Sequence, residues 1–126
     1  MILRYVILYV ADVPAALGFY ARAFGLEQGF LHPGGDYGEL VTGETKLAFS
    51  SHALMAQLGK EVATTAPARP SFELAFETDD VSASLARAVL EGATPVQDVT
   101  EMPWGQTLAY VRAPEGTLIE ICTRTR

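Results

Sequence analysis

The sequence predicts an α+β fold of two βαβββ modules in one chain, and two observations carry that expectation. The first is a repeat: Asp12-Val13-Pro14-Ala15-Ala16-Leu17 and Asp80-Val81-Ser82-Ala83-Ser84-Leu85 follow one pattern at a constant offset of 68 residues (80 against 12, 85 against 17). The second is order, since each copy follows an apolar run and precedes three further strand-like runs. Two copies at so long a period exclude a solenoid. They point to two equivalent modules with a shared cleft between their sheets.

Residues 3–10 are apolar, aromatic or β-branched and predict a buried strand. Asp12 reads as a helix N-cap, with Pro14 in the first turn where its missing N–H costs little. Val13, Leu17, Tyr20 and Phe24 recur at helical spacing as a core-facing stripe, and Gly25 follows as a C-cap. Strands are expected over 26–31, 37–42 and 46–50, separated by His32-Pro33-Gly34-Gly35-Asp36 and Gly43-Glu44, which have turn chemistry. One or two helical turns fit 52–58. Low bulk and abundant Ala, Thr and Pro mark 59–70 as a linker.

The second module repeats the order. A strand over 72–78 leads to a helix capped by Asp80, running to about Leu90 and ended by Gly92. Strands over 96–101, 107–112 and 118–123 follow, with Pro103-Trp104-Gly105 and Ala113-Pro114-Glu115-Gly116 as turns. The organisation is one domain over 1–126, with module one at 1–58, the linker at 59–70 and module two at 71–126. A single module leaves a sheet face open, so the modules pack together or the chain dimerises.

Composition narrows the functions. The 126 residues are 49% hydrophobic and carry a formal net charge of −6. Nucleic acid is disfavoured as a partner, because phosphates call for a Lys/Arg patch. No run approaches the ~20 apolar residues of a membrane span, and the N-terminus lacks the features of a signal peptide. Cys122 is the single cysteine, so no intrachain disulfide can form, and it lies in an apolar strand as a buried thiol. A cytoplasmic location and no membrane partner are the expectations.

The duplicated modules resemble the vicinal oxygen chelate superfamily, which includes glyoxalase I, bleomycin-resistance proteins, fosfomycin-resistance transferases and extradiol dioxygenases. The matching text in module one runs from Tyr5 to Asp12, then Phe19-Tyr20 and Phe24-Gly25-Leu26. In module two it is Asp79-Asp80-Val81, Glu91-Gly92-Ala93, Pro103-Trp104-Gly105 and the run from Ala113 to Glu120. The wording is nearest to the bleomycin-resistance branch.

The resemblance implies a cleft whose enzymatic members hold a divalent metal through His or Gln, His and Glu. The corresponding positions here are Tyr5, Glu73 and Glu120, with Ala48 at the place in module one equivalent to Glu120. A phenol is a poor ligand for ions softer than Fe(III), and no imidazole is present, so no metal, no cofactor and no catalytic residue are expected. His32 and His52 do not occupy ligand-strand positions.

The resemblance also implies aromatic clamps: Trp104 in the turn before the seventh strand and Tyr37 opening the third strand, on the same or a partner chain. Gly105 and Gly38 beside them would leave room for close approach. The expected ligand-binding residues are Trp104, Tyr37, Tyr5, Glu73 and Glu120, with Phe30 as a further aromatic. The leading function is metal-free binding of a small, planar, cationic molecule of the antibiotic kind by a homodimer. Whether the protein is an enzyme stays open. The alternative is a metal-dependent glyoxalase-like lyase, isomerase or dioxygenase using Glu120 and Glu73, and an accessory or immunity role is a third reading.

Overall fold

A computed structural model describes residues 1–125. The chain divides into two compact units, Met1–Thr64 and Thr65–Arg126, with the boundary inside the anticipated 59–70 linker. The first unit runs β1 (Tyr5–Val10), α1 (Val13–Phe24), β2 (Glu27–Leu31), β3 (Tyr37–Val41), β4 (Lys46–Ser51) and α2 (His52–Gln57). The second runs β5 (Glu73–Glu77), α3 (Val81–Leu90), β6 (Thr94–Glu101), β7 (Thr107–Arg112) and β8 (Leu118–Cys122). Each unit forms a four-stranded sheet, in the orders β1-β4-β3-β2 and β5-β8-β7-β6. The first strand of each lies parallel to the last, and the remaining pairings are antiparallel.

The repeat persists at atomic detail. Asp12 Oδ1 accepts from the Ala15 N–H and Asp80 Oδ1 from the Ala83 N–H, both at 3.0 Å. Each satisfies one of the donors that a helix start leaves without an intrahelical partner. Gly25 ends α1 in the left-handed region at φ 66°, as its position past Phe24 predicts. Register carries the equivalence further: Ile7 pairs with Ala48 and Ala75 with Glu120, so Ala48 and Glu120 occupy matching places.

One face of each sheet is covered by its helix. In the first unit Val13, Leu17 and Tyr20 of α1 are buried against β2–β4, together with Leu40, Leu47 and Phe49. Tyr20 lies 5.1 Å from Phe49 and 5.3 Å from Phe19 between ring centroids, spacings at which aromatic pairs attract. In the second unit Val81 and Ala88 of α3 face Val111, Ile119 and Ile121. The Arg112 guanidinium donates to the carbonyls of Gly116 and Ala68, at 2.9 and 2.8 Å, and so pins the linker's end to this unit.

Three expectations need correction. The first strand was expected to be buried, but β1 alternates: Leu8 and Val10 are buried, while Tyr5, Ile7 and Tyr9 are more than 40% exposed. The reason is that successive side chains point to opposite faces of the sheet, and the face carrying Tyr5, Ile7 and Tyr9 is the one no helix of this unit covers. β6 begins at Thr94 rather than Val96 and contains Pro95. An edge strand tolerates this proline because its missing N–H breaks no ladder, and the register shifts beside it. Gly38 opens toward α1, not toward the open face on which room beside Tyr37 was expected. A methyl group there would lie 2.5 Å from Leu17 Cδ1 and 3.2 Å from Val13 Cγ1, so its hydrogen lets α1 approach β3.

Candidate functional site

Sheet register decides which side chains share the helix-free face of the second unit. Glu120 pairs with Ala75 on one side and Tyr110 on the other, and Tyr110 pairs with Gln97. Side chains on one strand alternate between faces, so Glu73, Ala75 and Glu77 of β5 look the same way as Glu120 and Cys122 of β8. The Tyr110 hydroxyl donates to Glu120 Oε2 at 2.9 Å. Partial burial, then a hydrogen bond with Glu120 and its charge, raise the Glu73 pKa above the ordinary carboxylate value, while the Tyr110 hydroxyl pulls the other way. Burial first, then the bond to Glu120, raises Tyr110 as well.

Among the described residues, Arg124 reaches Glu77 at 3.3 Å, and neither Lys nor Arg forms an ion pair with Glu73 or Glu120. Residues 65–126 hold nine acidic and five basic side chains, so this unit carries most of the chain's net negative charge. Trp104 lies in the turn between β6 and β7, and its ring is 64% exposed. Its Nε1 donates to Gln106 Oε1 at 2.9 Å. Gln106 in turn lies beside the buried Cys122 thiol, whose pKa is pushed up by burial and then by the charge of Glu120.

The first unit carries a different set. The Tyr37 hydroxyl donates to Glu39 Oε2 at 2.8 Å, and Lys46 Nζ reaches Glu39 Oε1 at 3.2 Å. Burial, followed by the bond to Glu39, raises the Tyr37 pKa, and Tyr5 is near enough to add to the shift. Tyr5 itself pairs with Lys46 across β1 and β4 and is 44% exposed. Phe30 stands 6.4 Å from Tyr37 between ring centroids and is half exposed. Here a cation meets the carboxylate, whereas Glu120 accepts from the Tyr110 hydroxyl.

Of the five residues singled out from sequence, Tyr5 and Tyr37 therefore share one face. Glu73 and Glu120 share another, and Trp104 is joined through Gln106 to its edge. Tyr110, Glu39, Lys46 and Gln106 were missed. A signal for Tyr110 existed: a five-residue connection, 113–117, centres the β7–β8 hairpin on Glu115 and so places residue 110 opposite 120. Gln106 had no such signal, because its partners come from a turn and a strand end.

Duplicated βαβββ modules, each with one parallel pairing at its edge and one helix-free face, define the vicinal oxygen chelate class of α+β proteins. The model of the glyoxalase-like domain matches residues 3–125, and the chain belongs to that family. Among solved structures, a glyoxalase-related enzyme from Fulvimarina pelagi superposes with a TM-score of 0.83 at 23% identity, over 98% of this chain and 88% of that one. A glyoxalase/bleomycin resistance protein/dioxygenase family enzyme from Burkholderia phytofirmans PsJN gives 0.83 at 23%, over 98% of both chains. An integron cassette protein from the mobile metagenome of Vibrio cholerae gives 0.66 at 27%, over 99% of this chain and 96% of that one. No curated protein is a significant match.

The residues at the family's metal positions do not fit a metal. Glu120 is engaged by a phenol, the second position is a carboxylate and not an imidazole, and the third is Tyr5. Among the described residues no three His, Cys, Asp or Glu side chains are grouped to hold an ion. No helix among them is long and apolar enough to cross a membrane.

The raised Glu73 pKa has a stability consequence. The folded state holds this proton more tightly than the unfolded state, so stability is lost as pH rises from the ordinary Glu value near ~4.3 through the raised folded value. Glu73→Gln is expected to melt higher than wild type at pH 7, with the advantage gone near pH 4. The effect stays within about 1 kcal/mol, because Glu73 is exposed and solvent screens it. Thermal melts of both proteins across that range check it, and a variant that melts lower at pH 7 contradicts it.

Proposed function

We propose that the protein binds a flat, positively charged small molecule, with Trp104 as the stacking surface and Glu73 and Glu120 as the source of negative charge. The observation that carries this reading is the exposure of Trp104, 64% open with its ring edge tied to Gln106 rather than sunk in a core. A cation over an indole face gains about 0.5–2 kcal/mol, more as water is excluded. Carboxylates that no Lys or Arg among the described residues pairs with add attraction of the same sign. Tyr37 and Tyr5 offer aromatic surface of the same kind on the first unit's open face.

Trp104 is the sole tryptophan, so its emission reports on this turn alone. Titration with proflavine, a planar cation, is expected to quench it saturably, as is metal-free bleomycin. An anionic aromatic of similar size, 1-anilinonaphthalene-8-sulfonate, should bind more weakly. Absence of saturable quenching by either cation, or equal affinity for the anion, removes the reading.

The assembly proposed is a homodimer. Tyr5, Ile7, Tyr9 and Val41 expose apolar surface on the helix-free face of the first sheet, and β1 leaves an edge unpaired. Such surface calls for cover. Light scattering at micromolar concentration is expected to give twice the chain mass of 13.6 kDa. A monomer there overturns the assembly.

A further inference from the structure

The indole of Trp104 is exposed but not free to turn. Its Nε1 donates to Gln106 Oε1 at 2.9 Å, and Gln106 Nε2 donates to the Thr123 carbonyl at 2.9 Å. Thr123 is itself anchored to β7, its N–H donating to the Thr107 carbonyl at 2.9 Å and its Oγ1 accepting from the Thr107 N–H at 3.0 Å. The turn beneath the ring is closed by Met102 N–H to Gln106 O at 2.8 Å and Gly105 N–H to Met102 O at 2.9 Å. Gly105 sits at φ 95°, a conformation that L side chains rarely adopt.

The chemistry of the two partners settles the amide orientation. An indole N–H can only donate and a carbonyl can only accept, so the Gln106 oxygen must face Trp104 and its nitrogen Thr123. Both ends of one side chain are committed, at a place where water could have satisfied the indole. A hydrogen bond this exposed adds little to folding. What it does select is one orientation of a ring that otherwise turns about two torsions.

We propose that Gln106 is the positioning residue for Trp104, holding the indole in one pose so that it offers its face, and not its N–H, to a flat ligand. The inference rests on the binding reading of Trp104. It adds a specificity consequence: with Nε1 already used, the ligand is chosen for a planar surface and not for a hydrogen-bond acceptor aimed at the indole. Ordering the ring beforehand removes part of the cost of immobilising it on binding.

Two readouts separate this inference from the reading it rests on. Without ligand, Gln106→Met, which removes both hydrogen bonds at similar size, should lower the fluorescence anisotropy of Trp104 and increase its quenching by acrylamide. Gln106→Glu keeps an acceptor for the indole but replaces the donor to the Thr123 carbonyl by a second acceptor, so its anisotropy should fall between that of Gln106→Met and wild type. With proflavine as probe, Gln106→Met should bind about 3- to 10-fold more weakly, the scale of one side chain left to be ordered on binding. Circular dichroism of each variant establishes that the fold is retained. Unchanged anisotropy in a folded Gln106→Met protein overturns the positioning role. So does lowered anisotropy with unchanged proflavine affinity. Should wild type fail to bind proflavine, the binding reading falls, while the anisotropy series still decides whether Gln106 holds the ring.

Discussion

Trp104→Ala is expected to weaken proflavine binding by about 1–3 kcal/mol, roughly 5- to 150-fold, the usual loss for a stacking or anchoring aromatic. The same variant should unfold within about 0.5 kcal/mol of wild type, as exposed substitutions usually do. The physical reason is its 64% exposure and its single hydrogen bond to Gln106. Truncation there removes ligand surface and almost no core. Affinity from proflavine fluorescence and stability from urea denaturation measure the two effects on one preparation. A stability loss of about 3–5 kcal/mol with unchanged affinity would make Trp104 a packing residue and remove the stacking role.

Tyr20→Ala is expected to do the reverse. Tyr20 has no exposed surface and packs against Phe19, Phe24 and Phe49 with ring centroids 5.1–5.7 Å apart. Removing a buried aromatic costs about 3–5 kcal/mol, from lost burial and from the cavity left behind. Against the ~5–15 kcal/mol by which domains are stable, that is a large fraction. The urea midpoint should fall sharply. If Tyr20→Ala is too unstable to purify, Tyr20→Leu should show a smaller loss of the same sign. A Tyr20→Ala protein as stable as wild type contradicts the packing described for α1.

The contrast between the two aromatics shows why one could be read from pattern and the other could not. Tyr20 belongs to a helical stripe with Val13 and Leu17, and periodicity alone places it on the buried side. Trp104 belongs to a turn, where no periodicity operates. Its assignment as a ligand-binding residue rests on resemblance, and its exposure came only from the fold. Gly38 illustrates the same limit, since a glycine beside an aromatic suits either a ligand or a helix. The identity of its close neighbours, Leu17 and Val13, decides for the helix.

Local chemistry is where the sequence was sufficient by itself. Asp12 and Asp80 cap their helices, Gly25 ends α1, and β7 spans Thr107–Arg112 as anticipated, because each depends on neighbours a few residues away. The duplication likewise followed from the repeated capping motif. What tertiary structure alone decided was set by partners distant in the chain. The helix-free face of the first sheet exposed Tyr5, Ile7 and Tyr9, and edge position admitted Pro95 into β6. Register brought Tyr110 to Glu120 and Glu120 to the row beside Glu73. The end of β8 gave Gln106 a carbonyl to hold while it held Trp104. A pKa, an exposed ring or an orienting hydrogen bond depends on what stands within a few ångströms in space, and sequence distance does not record that.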